Sequence, residues 1–314
     1  MLYQAGMKKS LQRSEGMRKY KLAKKLNILK FFKSPMNRFF ILIGNVVLSI
    51  LPTGMRSGKN LTIDKKQIQA RDGAKITTYI ISPKGKENEN LPCMVYFHGG
   101  AFVYRGGFLH YSNARKYALG ANIKVVYVEY RLALKYKYPI PQNDCIDAYN
   151  WVCENTDELF IDKSKIFVGG DSAGAALALG VVMNFNHLKN LPVAQFLVYP
   201  VIDSEMRSES AKYFVDTPVW DSHRNEKMWK YFLGKESNYV SAIDFENKKI
   251  FPKTYIETTE FDPLHDEGIM FFELIETDKV LNETKRTVHG YDFVRSAEVT
   301  KENMQKRIDF LKNV

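Results

Sequence analysis

The stretch IFVGGDSAGAALAL, residues 166–179, decides the fold. Its first three residues are apolar and predict a buried strand, and residues 175–179 are small and apolar and predict a helix. Ser172 lies between them, in the turn Gly170-Asp171-Ser172-Ala173-Gly174. A G-x-S-x-G turn between a strand and a helix is so tight that it needs small neighbours, and it exposes the serine hydroxyl above the sheet. The sequence therefore predicts that Ser172 is a nucleophile.

Short β-rich runs alternate with helical patterns on both sides of this turn. Strands are predicted at residues 61–70, 75–82, 93–97, 124–130, 166–169, 194–199, 253–258 and 285–288. The first two flank the turn at residues 71–73 and predict an antiparallel hairpin at the sheet edge. The remaining runs are compact and apolar or β-branched, as is typical of strands covered on both faces. The predicted class is α/β, with a mostly parallel eight-stranded sheet flanked by helices.

A second glycine-containing loop follows a predicted strand in the stretch VYFHGGAF, residues 95–102. Backbone N–H groups at glycines can approach a ligand closely, so those of Gly99, Gly100 and Ala173 are predicted to form an oxyanion hole. The alternative is a turn that only ends the strand. His98 is expected to brace this loop and not to act as a base.

A serine nucleophile needs a base, and the base needs an acid to orient it. In folds of this type the acid follows the serine along the chain, and the histidine follows the acid. Asp262 follows a predicted strand and is our candidate acid, with Glu260 and Asp266 as rivals. His289 follows the last predicted strand and is the candidate base. We expect structural roles for the histidines at positions 110, 187, 223 and 265.

Composition limits the remaining classes of function. With 314 residues, 45% of them hydrophobic, the chain is neither disordered nor fibrous. The three cysteines are scattered and predict neither a disulfide framework nor a zinc site, which favours a reducing compartment. We therefore expect a cytoplasmic protein, either free or peripheral to a membrane.

The formal net charge of +11 is concentrated at one end of the chain. Residues 1–60 hold 13 Lys and Arg against one acid, a charge of +12, and the other 254 residues hold 33 against 34, a charge of −1. No basic stripe with interleaved aromatic residues continues into the body, so we expect no nucleic-acid partner. A basic arm on a neutral body is compatible with an anionic membrane surface or with simple solvation.

Two apolar patterns lie within or beside this basic arm. Residues 17–33 place leucines and a phenylalanine at steps of three or four between lysines, which predicts an amphipathic basic helix. Residues 39–51 form a second apolar segment, shorter than the roughly 20 residues that cross a bilayer. Three interpretations stay open: helices packed on the protein's own cap, membrane-surface contact through residues 1–52, or a span or uncleaved signal.

The motifs together resemble the hormone-sensitive-lipase-like family of α/β-hydrolases, which includes bacterial carboxylesterases and acetyl esterases. The resemblance covers most of residues 61–314. It rests on the motifs HGGA at 98–101 with Gly106, YRLA at 130–133, GDSAG at 170–174, DPL at 262–264 with DEG at 266–268, and HG at 289–290.

This family resemblance implies a helical cap on the α/β-hydrolase fold. It divides the chain into a basic arm with cap helices at residues 1–60, a catalytic core at 61–204 and 251–314, and a cap insertion at 205–250.

The resemblance also implies a serine carboxylesterase. If the aromatic cap and the N-terminal helices confine the acyl pocket, short- to medium-chain acyl esters are the expected substrates. Ser172, His289 and Asp262 would be catalytic, with His98 and Asp171 in support, and no metal or organic cofactor would be needed. The expected partner is a small-molecule ester, and both a monomer and a homodimer remain open. A membrane-surface lipase, an amidase or deacetylase, and a non-catalytic small-molecule receptor are the alternatives.

The sequence departs from the family pattern at four places. Ala101 replaces the third glycine of the oxyanion motif, Ala175 replaces a frequent glycine, and Tyr291 replaces a phenylalanine. Leu134-Lys135 replaces the usual Pro-Glu, which puts in doubt an ion pair at that point. None of these changes removes a catalytic atom.

Overall fold

A computed structural model of the chain describes residues 19–50, 55–234 and 238–314. The strands are β1 (Leu61–Gln69), β2 (Lys75–Pro83), β3 (Leu91–Phe97), β4 (Lys124–Glu129), β5 (Ile161–Asp171), β6 (Ala194–Val198), β7 (Lys253–Phe261) and β8 (Lys279–Val288). The α-helices of this part of the chain are α1 (Arg38–Ile50), α2 (Phe108–Ala121), α3 (Ile140–Glu154), α4 (Ala173–Met183), α5 (Glu209–Tyr213), α6 (Ser222–Leu233), α7 (His265–Leu274) and α8 (Glu298–Lys312).

The eight strands form one sheet in the order β1-β2-β4-β3-β5-β6-β7-β8. β2 pairs antiparallel with β1 and β4, and all other neighbours are parallel. The predicted α/β fold with a mostly parallel eight-stranded sheet is therefore confirmed. The chain crosses from β3 to β4 on one side and then to β5 on the other, so the strand order reverses between β3 and β5. Ligands of open α/β sheets bind at such a point, beyond the carboxyl ends of the strands.

Hydrophobic residues cover both faces of the sheet. α3 and α4 contribute to the cluster on one face, and α2 and α8 contribute to the cluster on the other. Every residue of α4 except the last, Met183, is buried, and most of these residues are small. The helix can therefore pack closely against the strands. This double cover explains the continuous apolar run at the end of β3, residues 93–97.

The predicted amphipathic helix at residues 17–33 is wrong for its described part. Residue 19 is helical, but between residues 20 and 33 the helical part is limited to Leu26–Phe31, a short 3-10 helix. The apolar residues of this segment do pack into the protein, because Leu22 and Leu26 are buried. The backbone instead bonds to distant segments: Ala23 N–H donates to the carbonyl of Arg286 at 2.8 Å. These tertiary bonds override the local helical pattern. Residues 17 and 18 lie outside the described residues.

The second apolar segment, predicted at 39–51, is α-helical from residue 38 to residue 50; residue 51 lies outside the described residues. None of the helices in the described ranges is long and apolar enough to cross a membrane.

Helical structure also occupies the stretch expected to be a cap insertion. α5 and α6 lie between residues 205 and 250, and the ring of Phe232 in α6 stacks on that of Phe102 at 3.9 Å between centroids. α6 therefore packs against the loop that follows β3. The division into arm, core and cap remains a prediction.

A buried ionic network anchors the last part of the chain to the sheet. The Arg307 guanidinium in α8 contacts Glu257 Oε1 at 2.6 Å and Asp292 Oδ2 at 2.8 Å. All three side chains are at most 2% exposed. Tyr199 Oη donates to Asp292 at 2.9 Å. Since Asp292 lies three residues after His289, the network fixes the loop that carries this histidine.

We predict that Arg307→Ala lowers the free energy of unfolding by about 3–5 kcal/mol, because it leaves two buried carboxylates without their cation. Urea denaturation would measure this change. Lys301→Ala on the same helix removes only an exposed ion pair with Glu298 and should cost less than about 1 kcal/mol. Equal losses in the two variants would contradict a special role for the buried network.

Candidate active site

Ser172 occupies a strained turn at the junction of β5 and α4. Its backbone φ is 54° and ψ is −121°, a combination that L-residues rarely adopt. A Cβ atom at Gly170 would lie 2.4 Å from the carbonyl oxygen of Gly174, and one at Gly174 would lie 2.0 Å from the carbonyl oxygen of Phe97. Both glycines are therefore required by close backbone approaches.

The structure brings Ser172, His289 and Asp262 together from the ends of three different strands. Ser172 Oγ lies 2.9 Å from His289 Nε2, and His289 Nδ1 lies 2.7 Å from Asp262 Oδ2. Ser172 and His289 are each 7% exposed, and Asp262 is fully buried. This chain of contacts can move a proton from the serine hydroxyl to the imidazole.

Asp262 is held by two further hydrogen bonds. Thr259 Oγ1 donates to Oδ2 at 2.5 Å, and the backbone N–H of Leu264 donates to Oδ1 at 3.0 Å. The two rival acids are engaged elsewhere: Glu260 accepts from the backbone N–H of Arg286, and Asp266 accepts from that of Ser210.

The glycine loop after β3 lies beside Ser172. Gly100 has φ 115°, and its carbonyl accepts from the N–H groups of Val103 at 3.0 Å and Tyr104 at 2.8 Å. Gly100 lines the same cavity as Ser172. Gly99 packs against Asp171, since a Cβ atom there would lie 2.4 Å from Asp171 Oδ2. Ala173 begins α4, and the first N–H groups of a helix have no partner within it.

His98 lies in the core beneath this loop. Its ring stacks on that of Tyr130 with centroids 4.5 Å apart, and its Nδ1 lies 2.6 Å from the carbonyl oxygen of Gly99. Tyr130 Oη donates to the carbonyl of His98 at 2.7 Å. Burial lowers the pKa of His98 to about 3, so the ring is neutral near neutral pH. The His98 side chain therefore contacts the loop at Gly99 and stacks on Tyr130, and these contacts support the expected bracing role.

Asp171 and His110 form a second buried pair beside the nucleophile. His110 Nε2 lies 3.4 Å from Asp171 Oδ2, and Tyr96 Oη donates to Oδ1 of the same carboxylate. Burial by itself would raise the pKa of Asp171, but the charge and hydrogen bond of His110 lower it. Burial would lower the pKa of His110, and Asp171 raises it instead. The pair thus favours its charged form directly behind the glycine loop.

A cavity of about 930 Å³ opens above Ser172. Its walls are mainly apolar and come from several parts of the chain. α1 contributes Phe40, Gly44 and Leu48 to one side, and Trp220 from the predicted insertion contributes to the other. In the described ranges, no group of three or more His, Cys, Asp or Glu is placed to hold a metal ion.

Sequence reasoning missed three side chains around the base and nucleophile. The ring of Tyr199 lies 4.7 Å from that of His289, the indole of Trp220 lies 5.9 Å from it, and His110 contacts Asp171. Tyr199 follows β6 and could have been suspected from its place at a strand end. Trp220 lies in the loop between α5 and α6, and His110 lies on α2; no local sequence pattern marks either of them.

The structure also shows the ion pairs at one place where the sequence departs from the family pattern. Although Leu134-Lys135 replaces the usual Pro-Glu, Arg131 still forms ion pairs, with Asp144 at 2.6 Å and with Asp72 at 2.7 Å. The YRLA segment is therefore anchored by α3 and by the β1–β2 turn.

Comparisons with known proteins agree with this geometry. A family profile described as alpha/beta hydrolase fold matches residues 94–292. Carboxylesterase NlhH of Mycobacterium tuberculosis is 33% identical over 221 residues, which cover 65% of this chain and 67% of that one. Esterase LipI of the same species is 30% identical over 67% of this chain and 68% of its own length.

Solved structures give the same result. A bacterial heroin esterase superposes with a TM-score of 0.76 at 28% identity, covering 88% of this chain and 89% of that one. Esterase LipW from Mycobacterium marinum has a TM-score of 0.84 at 22% identity, covering 93% and 96%, and supports the fold alone. By the profile match and these relatives, the chain belongs to the α/β-hydrolase fold family, in its hormone-sensitive-lipase-like group.

Proposed function

We propose that this chain hydrolyses carboxylic esters of short to medium acyl chains, with Ser172 as nucleophile, His289 as base and Asp262 as the acid that orients it. That the chain is a carboxylic ester hydrolase follows from its family and its carboxylesterase relatives. The observation that carries the assignment of residues is the hydrogen-bonded series Ser172–His289–Asp262 at the floor of a mainly apolar cavity.

The reaction proceeds through an acyl-enzyme. His289 Nε2 takes the proton of Ser172 as Oγ attacks the acyl carbon, and the N–H groups of Gly99, Gly100 and Ala173 hold the oxygen that becomes negative. The imidazolium then gives its proton to the departing alcohol. In the second half, water deprotonated by the same ring attacks the acyl carbon. The bond to Ser172 Oγ then breaks, the imidazolium returns its proton to Oγ, and the acid is released. Asp262 fixes the tautomer that leaves Nε2 free to accept.

Asp171 supports this step by positioning the oxyanion loop. Its Oδ2 packs against Gly99 and lies 3.4 Å from His110 Nε2, and Tyr96 Oη donates to its Oδ1. Asp171 and His98 act on the loop from different directions, and neither touches the reacting atoms.

The cavity supports the proposed range of acyl chains. Phe40 and Leu48 of α1 and the buried Trp220 form apolar walls that an alkyl chain can contact. Burying each methylene contributes about 0.8 kcal/mol, so affinity rises with chain length until the walls are reached. α1 closes one side of the cavity and limits that length.

We predict that Ser172→Ala reduces kcat on p-nitrophenyl butyrate by about 10⁶, because the nucleophile is lost. Ser296→Ala is the matched control, since Ser296 lines the same cavity without contacting His289. The control should retain activity near that of the parent protein. Activity surviving in Ser172→Ala would refute the assignment.

A chain-length series tests the substrate range. Among p-nitrophenyl acetate, butyrate, octanoate and palmitate, kcat/KM should peak at butyrate or octanoate and fall at palmitate. Leu48→Ala should move the maximum toward longer chains, because it widens the cavity on the α1 side. A maximum at palmitate in the parent protein would contradict the proposed range.

We predict that Asp171→Asn lowers kcat about tenfold to a hundredfold with little change in KM. This loss is smaller than the roughly 10²–10³ that follows removal of an oxyanion donor itself. Steady-state kinetics on a soluble ester measures both constants. Asp162→Asn, at an exposed carboxylate that accepts from Ser164, is the control and should leave kcat unchanged. A change confined to KM in Asp171→Asn would argue against a positioning role.

A further inference from the structure

The outward face of α1 is apolar along its whole length. Six large side chains share this face by helical spacing, and each is between 45% and 76% exposed among the described residues: Phe39, Leu42, Ile43, Val46, Val47 and Ile50. A helix packed on a soluble body normally turns polar residues outward. A contiguous exposed apolar surface of this kind marks an interaction site.

The opposite side of α1 is already occupied. Ile41 is fully buried, and Phe40, Gly44 and Leu48 line the cavity above Ser172. Asn45 donates to the carbonyl of Val103 at 2.8 Å. The helix is therefore fixed on the body by one side, and its outward face is presented next to the cavity.

Aromatic rings and cations continue this surface around the cavity. Phe108 and Phe293 line the cavity and are 61% and 53% exposed. The Arg295 guanidinium lies 4.5 Å from the Phe108 ring centroid, and Lys25 Nζ donates to the carbonyl of Ser296, another cavity residue, at 3.0 Å. Exposed aromatic rings with nearby Lys and Arg are typical of segments that lie at a membrane–water interface.

The charge of the residues that flank α1 in the sequence favours an anionic lipid surface over a second copy of this protein as the partner. Residues 19–60 contain nine Lys and Arg and no Asp or Glu. In a symmetric dimer through α1, two such segments would face each other and repel, whereas an anionic lipid surface attracts them. At 13 residues, α1 is about 20 Å long and too short to span a bilayer, but it can lie in the interface plane.

We propose that the outward face of α1, with the basic residues around it, docks on the surface of an anionic lipid bilayer. Docking brings the mouth of the cavity to the lipid, so that an ester dissolved in the bilayer reaches Ser172 along apolar walls. This proposal concerns lipid binding and can be tested separately from the ester hydrolysis proposed above.

Flotation with vesicles tests the docking. Vesicles of phosphatidylcholine mixed with phosphatidylglycerol should bind the protein, and vesicles of phosphatidylcholine alone should bind it more weakly. The double variant Leu42→Gln with Val46→Gln keeps helix-forming residues and should lose affinity about a hundredfold. Lys24→Gln with Arg38→Gln should lose about fivefold per charge on anionic vesicles only, and added salt should have a similar effect.

Leu191→Gln with Val240→Gln is the matched control, because it also replaces two half-exposed apolar side chains, but away from α1. This control should bind vesicles like the parent protein. All variants should hydrolyse soluble p-nitrophenyl acetate at the parental rate, which separates binding from catalysis. Failure of the parent protein to bind anionic vesicles would overturn the proposal. Binding that survives in Leu42→Gln with Val46→Gln would also overturn it, as would a dimer in sedimentation that this variant dissociates.

Discussion

The left-handed backbone of Ser172 is the constraint on which the rest of the site depends. A φ of 54° with ψ −121° costs about 1–3 kcal/mol and persists only where the surroundings determine it. Here β5 ends and α4 begins within one residue of each other, and Gly170 and Gly174 approach other backbone atoms too closely for any side chain. The hydroxyl is thereby directed into the cavity at the first turn of α4.

The sheet brings the remaining groups of the proposed site together. The parallel strands end on the same side of the sheet, so the loops after β3, β5, β7 and β8 meet there. In that order, these loops carry the proposed oxyanion loop, nucleophile, acid and base. The topological reversal between β3 and β5 leaves the gap that becomes the cavity. The network of Arg307, Glu257 and Asp292 then holds the loop of His289 from below.

The parts that could be predicted from sequence are those specified by local pattern. Short β-rich runs predict all eight strands, and the G-x-S-x-G turn predicts the position of Ser172. The starts of β5 and β8 lie outside the predicted ranges, because Ile161 and Lys279 begin stretches rich in polar residues that join the sheet by pairing with Leu91 and Thr254. The helix predicted at residues 17–33 failed for the same reason, since its backbone bonds to Arg286 and other distant partners.

Contacts between elements that are far apart in the chain could not be predicted from the sequence. His110 lies near the start of α2, which packs against β2 and β4, and it meets Asp171 at the end of β5 only through this packing. Trp220 lies in the loop between α5 and α6, and the sequence pattern there does not predict its contact with His289. Local patterns thus identified the groups proposed to do chemistry, and tertiary packing determined the groups that surround them.

Covalent labelling tests the central claim most directly. A fluorophosphonate should react with the protein at one site, and peptide mass spectrometry should place the adduct on Ser172, with labelling lost in His289→Ala and loss of esterase activity matching the labelled fraction. An adduct on another serine, or full activity in protein labelled at Ser172, would contradict the account.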